Sequence, residues 1–259
     1  MAIPPSHVPF YEEIFALPGF LADPVLTFGY QEIRIPDWHF QSWSELDFRD
    51  RLRRLGHYLW RCFETRSGRG FGPVRIPETY RHKELSSFLQ QYGMKEVHVL
   101  DLFDARATLR YDMNQQLGPS QHGQYGTLID IGSLEHVFDT RQCLENCLRL
   151  IRLGGHYLLH TTVNGYFAHG LHVFNPQGLI EALEANGFEV IYKRYSTASG
   201  RVVDNPDRPG DILIWLVSRK VAELDNFIPP QQGYWEDYYR LNDFKDRMRL
   251  QREYWAGVK

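Results

Sequence analysis

Three histidines and a scatter of acids stand where apolar runs of the chain end. His136 follows Glu135 in "GSLEHVFD", directly after the run "TLIDIG", and His169 and His172 lie in "NGYFAHGLHVFNP", after the run "HYLLHTTV". An imidazole exchanges a proton near neutral pH, so each of the three is suited to removing the proton of an attacking hydroxyl. For His136 the plainer alternative is packing at a corner. Asp130 falls inside "TLIDIG", and burying an acid there requires partners. Asp101 ends "VHVLD", with Asp104 close behind, and an acid here either meets a ligand or caps the loop "DARA". Asp112-Met113 offers an acceptor beside an apolar side chain, although Asp also marks ordinary turns.

Metal chemistry is considered for two groups. Asp130, Glu135, His136 and Asp139 offer oxygen and nitrogen donors for Mg²⁺ with water completing the shell, but nothing fixes their spacing and no metal ligand is assigned. Cys143 and Cys147 are one helical turn apart, yet they sit among Leu144, Leu148 and Ile151 and read as core thiols. With Cys62 they make an odd, sparse set without a CxxC, which speaks for a reducing, cytoplasmic setting.

The elements that must hold these residues alternate. Strand-like runs are read at 24–33, 96–103, 107–114, 125–133 and 156–163. Helical periodicity is read at 42–66 and 76–94, and again after Asp139, where Gln142 completes a capping-box pattern and Gly154-Gly155 stops the helix. A further helix spans 175–188, and "EVIYKRYST" and "DILIWLVSR" close the chain's sheet. Alternation of this kind predicts an α/β fold: a doubly wound, mostly parallel sheet of seven strands with helices on both faces. A final pair of strands joined by a loop alone predicts a terminal antiparallel hairpin at the edge.

The 259 residues read as one domain with two appendages, a helical insertion or lid over 34–75 and a helical tail over 231–259. Each appendage either packs across the core or has a function, a lid over a ligand site for the first and a homodimer contact for the second. The formal net charge of −3 offers no electrostatic attraction to nucleic acid or an anionic membrane. The N-terminus lacks the pattern of a signal peptide, and no run approaches the roughly 20 apolar residues of a membrane span.

From about residue 96 to 219 the chain resembles the class I S-adenosylmethionine-dependent methyltransferases. "YGTLIDIGSLEHVFDTRQCLENCLRLIRLGGHYLLHT" resembles the family's fourth strand, its "LEHV" corner, a helix ending in "LLKPGG" and the fifth strand, with Leu153 where that motif has proline. "ANGFEV" resembles the family's approach to the sixth strand. "VLTFGYQ", "VLDLFDARA", "YDMNQ" and "GSLEHVFD" are similar to a bacterial subgroup that modifies saccharides or secondary metabolites. One departure is plain: there is no "DxGxGxG". "LTFGYQE" supplies only Gly29, and 72 residues separate it from Asp101, against about 20 in a simple βαβ unit. Either 34–75 is an insertion or the first strand lies elsewhere. The rival loop "SGRGFG" has no strand before it and reads as a connection.

The resemblance implies a Rossmann-like methyltransferase fold, S-adenosylmethionine as cofactor and a small-molecule acceptor, with a hydroxyl the expected target. It places Asp101 on the ribose diol, Asp112 and Met113 at the adenine, and Gly29, Asp130 and Gly132 near the methionine part. His169 or His172 is implied as base ahead of His136, because the loop after the fifth strand commonly binds the acceptor. Two other readings stay open. One is a non-catalytic scaffold, favoured by the missing glycine run, and the other is a nicotinamide-dependent enzyme, disfavoured by the absent GxGxxG.

Overall fold

Runs that combine β-branched and apolar residues without alternation become strands buried on both faces. The computed structural model describes residues 2–66, 76–207, 209–230, 243 and 245–249. In chain order the elements are β1 (Ala2–Ile3), α1 (Val8–Phe15), β2 (Val25–Phe28), β3 (Glu32–Ile33), α2 (Phe48–Arg66), α3 (Leu85–Gln91) and β4 (Val97–Leu100). There follow β5 (Tyr125–Ile131), α4 (Thr140–Leu150), β6 (Ile151–Asn164), α5 (Pro176–Ala185), β7 (Phe188–Thr197), β8 (Val202–Val203) and β9 (Ile212–Lys220). Every residue of β2 and β5 is buried.

Seven strands form one sheet in the order β4-β2-β5-β6-β9-β7-β8. β2 pairs in parallel with β4 and with β5, and β5 with β6. β9 runs antiparallel to both β6 and β7, and β8 antiparallel to β7. The α/β doubly wound sheet with a terminal antiparallel pair is therefore the fold. The chain steps from β2 to β4 on one side and then to β5 on the other, which makes the β2–β5 boundary a switch point, where open sheets of this class bind ligands.

Side chains alternate between two apolar layers. Leu128, Ile214 and Leu216 join Leu144, Leu148 and Leu183 on one face. Ile129, Trp215 and Val217 join Phe10, Ile14 and Phe88 on the other. Removing a buried aromatic such as Trp215 from a layer of this kind costs about 3–5 kcal/mol.

Three sequence expectations are corrected. The strand read at 107–114 reduces to a single parallel bridge between Leu100 and Leu109, because the Thr108 hydroxyl accepts the Val99 N–H at 2.7 Å. The seventh strand is instead the edge pair β8. The closing antiparallel hairpin of β7 and β9 ends the sheet as expected, with the apolar, almost wholly buried β9 between β6 and β7 and only the two-residue β8 outside β7. The helix read over 76–94 is a 3-10 turn at Glu78–Arg81 followed by α3. Finally, α4 ends at Leu150 and β6 begins at once, so Gly154-Gly155 lies within the strand. A Cβ on Gly155 would lie 2.8 Å from the Gly126 carbonyl oxygen, so close strand contact, not helix termination, explains it.

The chain before residue 24, where no element was expected, forms β1 and α1, and β1 pairs with β3. In the proposed insertion, α2 exposes Phe48, Leu52, Leu59 and Phe63, and the loop at 67–75 lies outside the described residues. So does the tail 231–259 apart from 243 and 245–249, where Arg247 pairs with Glu184 at 2.8 Å. No helix among the described residues is long and apolar enough to cross a membrane.

Candidate functional site

A cleft of about 520 Å³ opens at the carboxyl ends of β2, β4 and β5, within the range of small-molecule pockets. Gly29, Tyr30 and Gln31 line it from the end of β2, and Asp101, Leu102 and Phe103 from the end of β4. Tyr111, Asp112, Met113 and Asn114 follow the Leu109 bridge. Gly132, Ser133, His136 and Val137 follow β5, and His169 reaches in from the loop after β6.

The turn after β2 has no glycine run, and side chains hold it instead. Gln31 donates from Nε2 to the carbonyls of Phe28 (3.0 Å) and Ile131 (3.3 Å). The Ser133 hydroxyl donates to the same Phe28 carbonyl at 2.7 Å. Gly29 has φ +81°, and a Cβ there would lie 2.9 Å from the Ser133 hydroxyl oxygen. One glycine thus suffices where β2 and β5 part, because Gln31 and Ser133 bridge the two strand ends.

Asp101 and Asp104 differ in what they leave free. Oδ1 of Asp101 accepts the N–H groups of Phe103 and Asp104 at 2.9 and 3.0 Å. Oδ2 has a long contact from the Tyr30 N–H at 3.4 Å. The residue therefore caps its loop with one oxygen and presents the other toward the cleft. Asp104 is gripped by Arg106 at 2.9 and 2.6 Å, and those hydrogen bonds hold its carboxyl down at about 2. The same guanidinium lies 3.5 Å over the Tyr30 ring.

Asp112 accepts from the N–H and side-chain amide of Asn114 at 3.0 and 2.7 Å, which lowers its pKa. Met113 is buried in the cleft wall. Asn114 in turn accepts the Asp139 N–H at 3.0 Å, joining this wall to the start of α4.

Asp130 does not line the cleft. It is wholly buried beneath, accepting the Ser133 N–H at 2.8 Å and the Tyr157 hydroxyl at 3.2 Å. Burial, then the nearby Glu135 charge, pushes its carboxyl up to about 8. Asp139 caps α4 by accepting the Gln142 N–H at 2.9 Å, so it and Asp130 are engaged apart from Glu135 and His136. His136 and His169 meet, with ring centroids 5.3 Å apart. His172 turns away, its Nε2 3.1 Å from the Phe138 carbonyl. Cys143 and Cys147 are buried in the core.

Tyr30, Gln31, Tyr111 and Asn114 were not singled out as site residues in the sequence. Only adjacency to Gly29 and to Asp112-Met113 signalled them.

No protein-family model matches the chain, and no curated protein matches it. Solved structures do. A methyltransferase of Mesorhizobium loti described as S-adenosylmethionine-dependent is 14% identical, with 83% of this chain and 97% of that one covered at a TM-score of 0.45. A 1,6-didemethyltoxoflavin N1-methyltransferase of Burkholderia thailandensis, solved with 1,6-didemethyltoxoflavin and S-adenosylhomocysteine, is 18% identical over 53% of this chain at a TM-score of 0.38. The match spans 66% of that enzyme's length. The [4+2]-cyclase SpnF is 16% identical, with 51% and 59% covered and a TM-score of 0.35. Of these three solved structures, two are described as methyltransferases and one as a cyclase.

Proposed function

We propose that the chain binds S-adenosylmethionine in the cleft at the switch point and transfers its methyl group to a hydroxyl of a small-molecule acceptor. The observation that carries this reading is the pairing of a half-free carboxylate, Asp101, with a second acceptor beside a buried thioether, Asp112-Met113, along one cleft wall. Oδ2 of Asp101 is suited to two ribose hydroxyls, Asp112 to the exocyclic amine of an adenine, and Met113 to its ring face. Gly29 lets a ligand come close to the backbone where a Cβ would not fit.

When bound, S-adenosylmethionine supplies an electrophilic methyl group on sulfur. Its methyl group would pass to the acceptor's oxygen, leaving S-adenosylhomocysteine, and the acceptor hydroxyl would have to give up its proton. His136 and His169, on the β5 and β6 loops of the cleft, are placed to handle that proton. Holding the two reactants in line supplies most of the acceleration. Phe103 is 88% exposed and Phe167 fully exposed, on loops that also carry Asp101 and His169. These aromatics favour an acceptor with an apolar body, such as a secondary metabolite or a glycosylated one.

Calorimetric titration with S-adenosylmethionine and S-adenosylhomocysteine tests the reading, on the wild type and on Asp101→Ala. Micromolar binding that the substitution abolishes supports it. Absence of heat with either ligand, at several temperatures and with folded protein, would move the chain to the scaffold reading.

A further inference from the structure

At the mouth of the cleft Glu135, His136 and His169 each turn one donor atom toward the others, all within 4.8 Å of one another. Glu135 is 1% exposed, and its two oxygens differ. Oε2 accepts the Thr161 hydroxyl at 2.8 Å, while Oε1 is buried without a hydrogen-bond partner. A buried carboxylate oxygen left unpaired costs free energy unless something positive meets it. The two groups beside it are imidazoles, both exposed on their outer side.

The backbone has been shaped to bring His169 here. Tyr166 and Ala168 adopt positive φ of 53° and 58° without being glycine, a strained arrangement that must be held by its surroundings. The holding contacts are on Glu135 itself, whose carbonyl accepts the N–H groups of Leu171 (2.8 Å) and His172 (3.2 Å). Gly170 permits this approach, since a Cβ there would lie 3.0 Å from the Glu135 carbonyl oxygen. The loop after β6 is therefore stapled to the corner after β5 at the residue that carries the unpaired oxygen.

We propose that Glu135, His136 and His169 form a binding site for a divalent transition-metal ion of the Zn²⁺ or Mn²⁺ class. Two imidazoles and one carboxylate are a nitrogen-rich donor set that Mg²⁺ and Ca²⁺ do not favour. Donors on a single tetrahedral ion at about 2.0–2.2 Å lie about 3.3–3.6 Å apart. The present separations, at most 4.8 Å, need contract by up to about 1–1.5 Å to reach that geometry, a side-chain rotation open to two exposed histidines. Thr161 orients the carboxylate from behind, as outer-shell partners do. Three protein donors leave positions open on the cleft side, where the ion would hold the acceptor's oxygen and ease loss of its proton to water, taking over that task from the two imidazoles it occupies. That last role rests on the methyl-transfer reading; the binding of the ion does not.

Equilibrium dialysis of the full chain against Zn²⁺ and, separately, Mn²⁺ tests the site, with Co²⁺ absorption spectra as the report on its donors. One equivalent is expected to bind the wild type. Single substitutions His136→Ala and His169→Ala should weaken binding by more than the roughly 10–100-fold that losing an outer-shell partner costs, and should abolish the visible Co²⁺ bands. His39 and His57, with rings 5.5 Å apart elsewhere on the surface, are the rival chelating pair. Binding that survives His169→Ala but is lost in His57→Ala would overturn the proposal, as would no binding by folded wild type at millimolar metal. A parallel S-adenosylhomocysteine titration separates the two failures. Cofactor bound without metal removes only this inference, and metal bound without cofactor removes only the methyl-transfer reading.

Discussion

Asp101 and Asp104 have the same chemistry and nearly the same position, yet the structure gives them different neighbours. Both oxygens of Asp104 are taken by one guanidinium, whereas Oδ2 of Asp101 has only a 3.4 Å contact to share. Asp101→Asn removes the charge that would strengthen hydrogen bonds from a diol, each worth about 1.5–3 kcal/mol. S-Adenosylhomocysteine affinity should therefore fall roughly 10–100-fold by calorimetry, while Asp104→Asn should leave it within about threefold. Equal losses in the two variants would remove Asp101 from its assigned place. The strand-end position of Asp101 was legible in the sequence because "VHVLD" reads as a strand that stops at an acid. Its two-sided engagement was not, since it depends on Tyr30, which lies 71 positions earlier. For the same reason His169 was legible and its meeting with Glu135 was not.

Among the elements, the turn from β2 accounts for the missing glycine run. Its geometry is over-determined by Gln31 and Ser133, which both donate to Phe28, and by the Gly29 N–H donating to Leu100 at 2.7 Å. Gly29→Ala puts a Cβ into the left-handed region and 2.9 Å from the Ser133 oxygen. It is expected to cost about 1–3 kcal/mol of stability and to weaken cofactor binding by pushing the β5 end outward. Thermal melts and the same titration check both effects, and an unchanged affinity would show that the turn does not touch the ligand. The interior, parallel character of β2 and β5 was readable from composition because both are mostly apolar, as interior parallel strands must be. The 107–114 run misled because its ladder stops at a threonine that bonds sideways, a side-chain choice no periodicity reports. The inward placement of β9 is a matter of neighbours, and only its near-complete burial marks it.

The whole molecule closes on its N-terminus, which the sequence reading left without an element because "VPFYEEIF" has a proline at its second position and spans only about two turns. α1 lies against the apolar layer opposite α4, with Phe10 stacked on Trp215 at 4.5 Å and the Tyr11 hydroxyl 3.3 Å from His160. His7, just before α1, donates from Nε2 to the Ala198 carbonyl at 3.0 Å. Burial pulls its pKa from 6.5 down to about 4, and the Arg61 charge adds to that. Buried His160 moves in the same direction. In the unfolded chain His7 takes up its proton first, so between pH 6.5 and about 4 the unfolded state binds more protons and stability falls as pH falls. From pH 7 to 5 the His7 share of that loss is about 2 kcal/mol. His7→Gln keeps an N–H donor without a titrating ring, so its urea midpoint should move less than the wild type's over that interval. Both proteins keep His160, whose shift comes first from burial and only second from His7, so most of its contribution is common to the two. Parallel shifts in the two proteins would mean that protonation of His7 does not loosen the seam between α1 and the sheet.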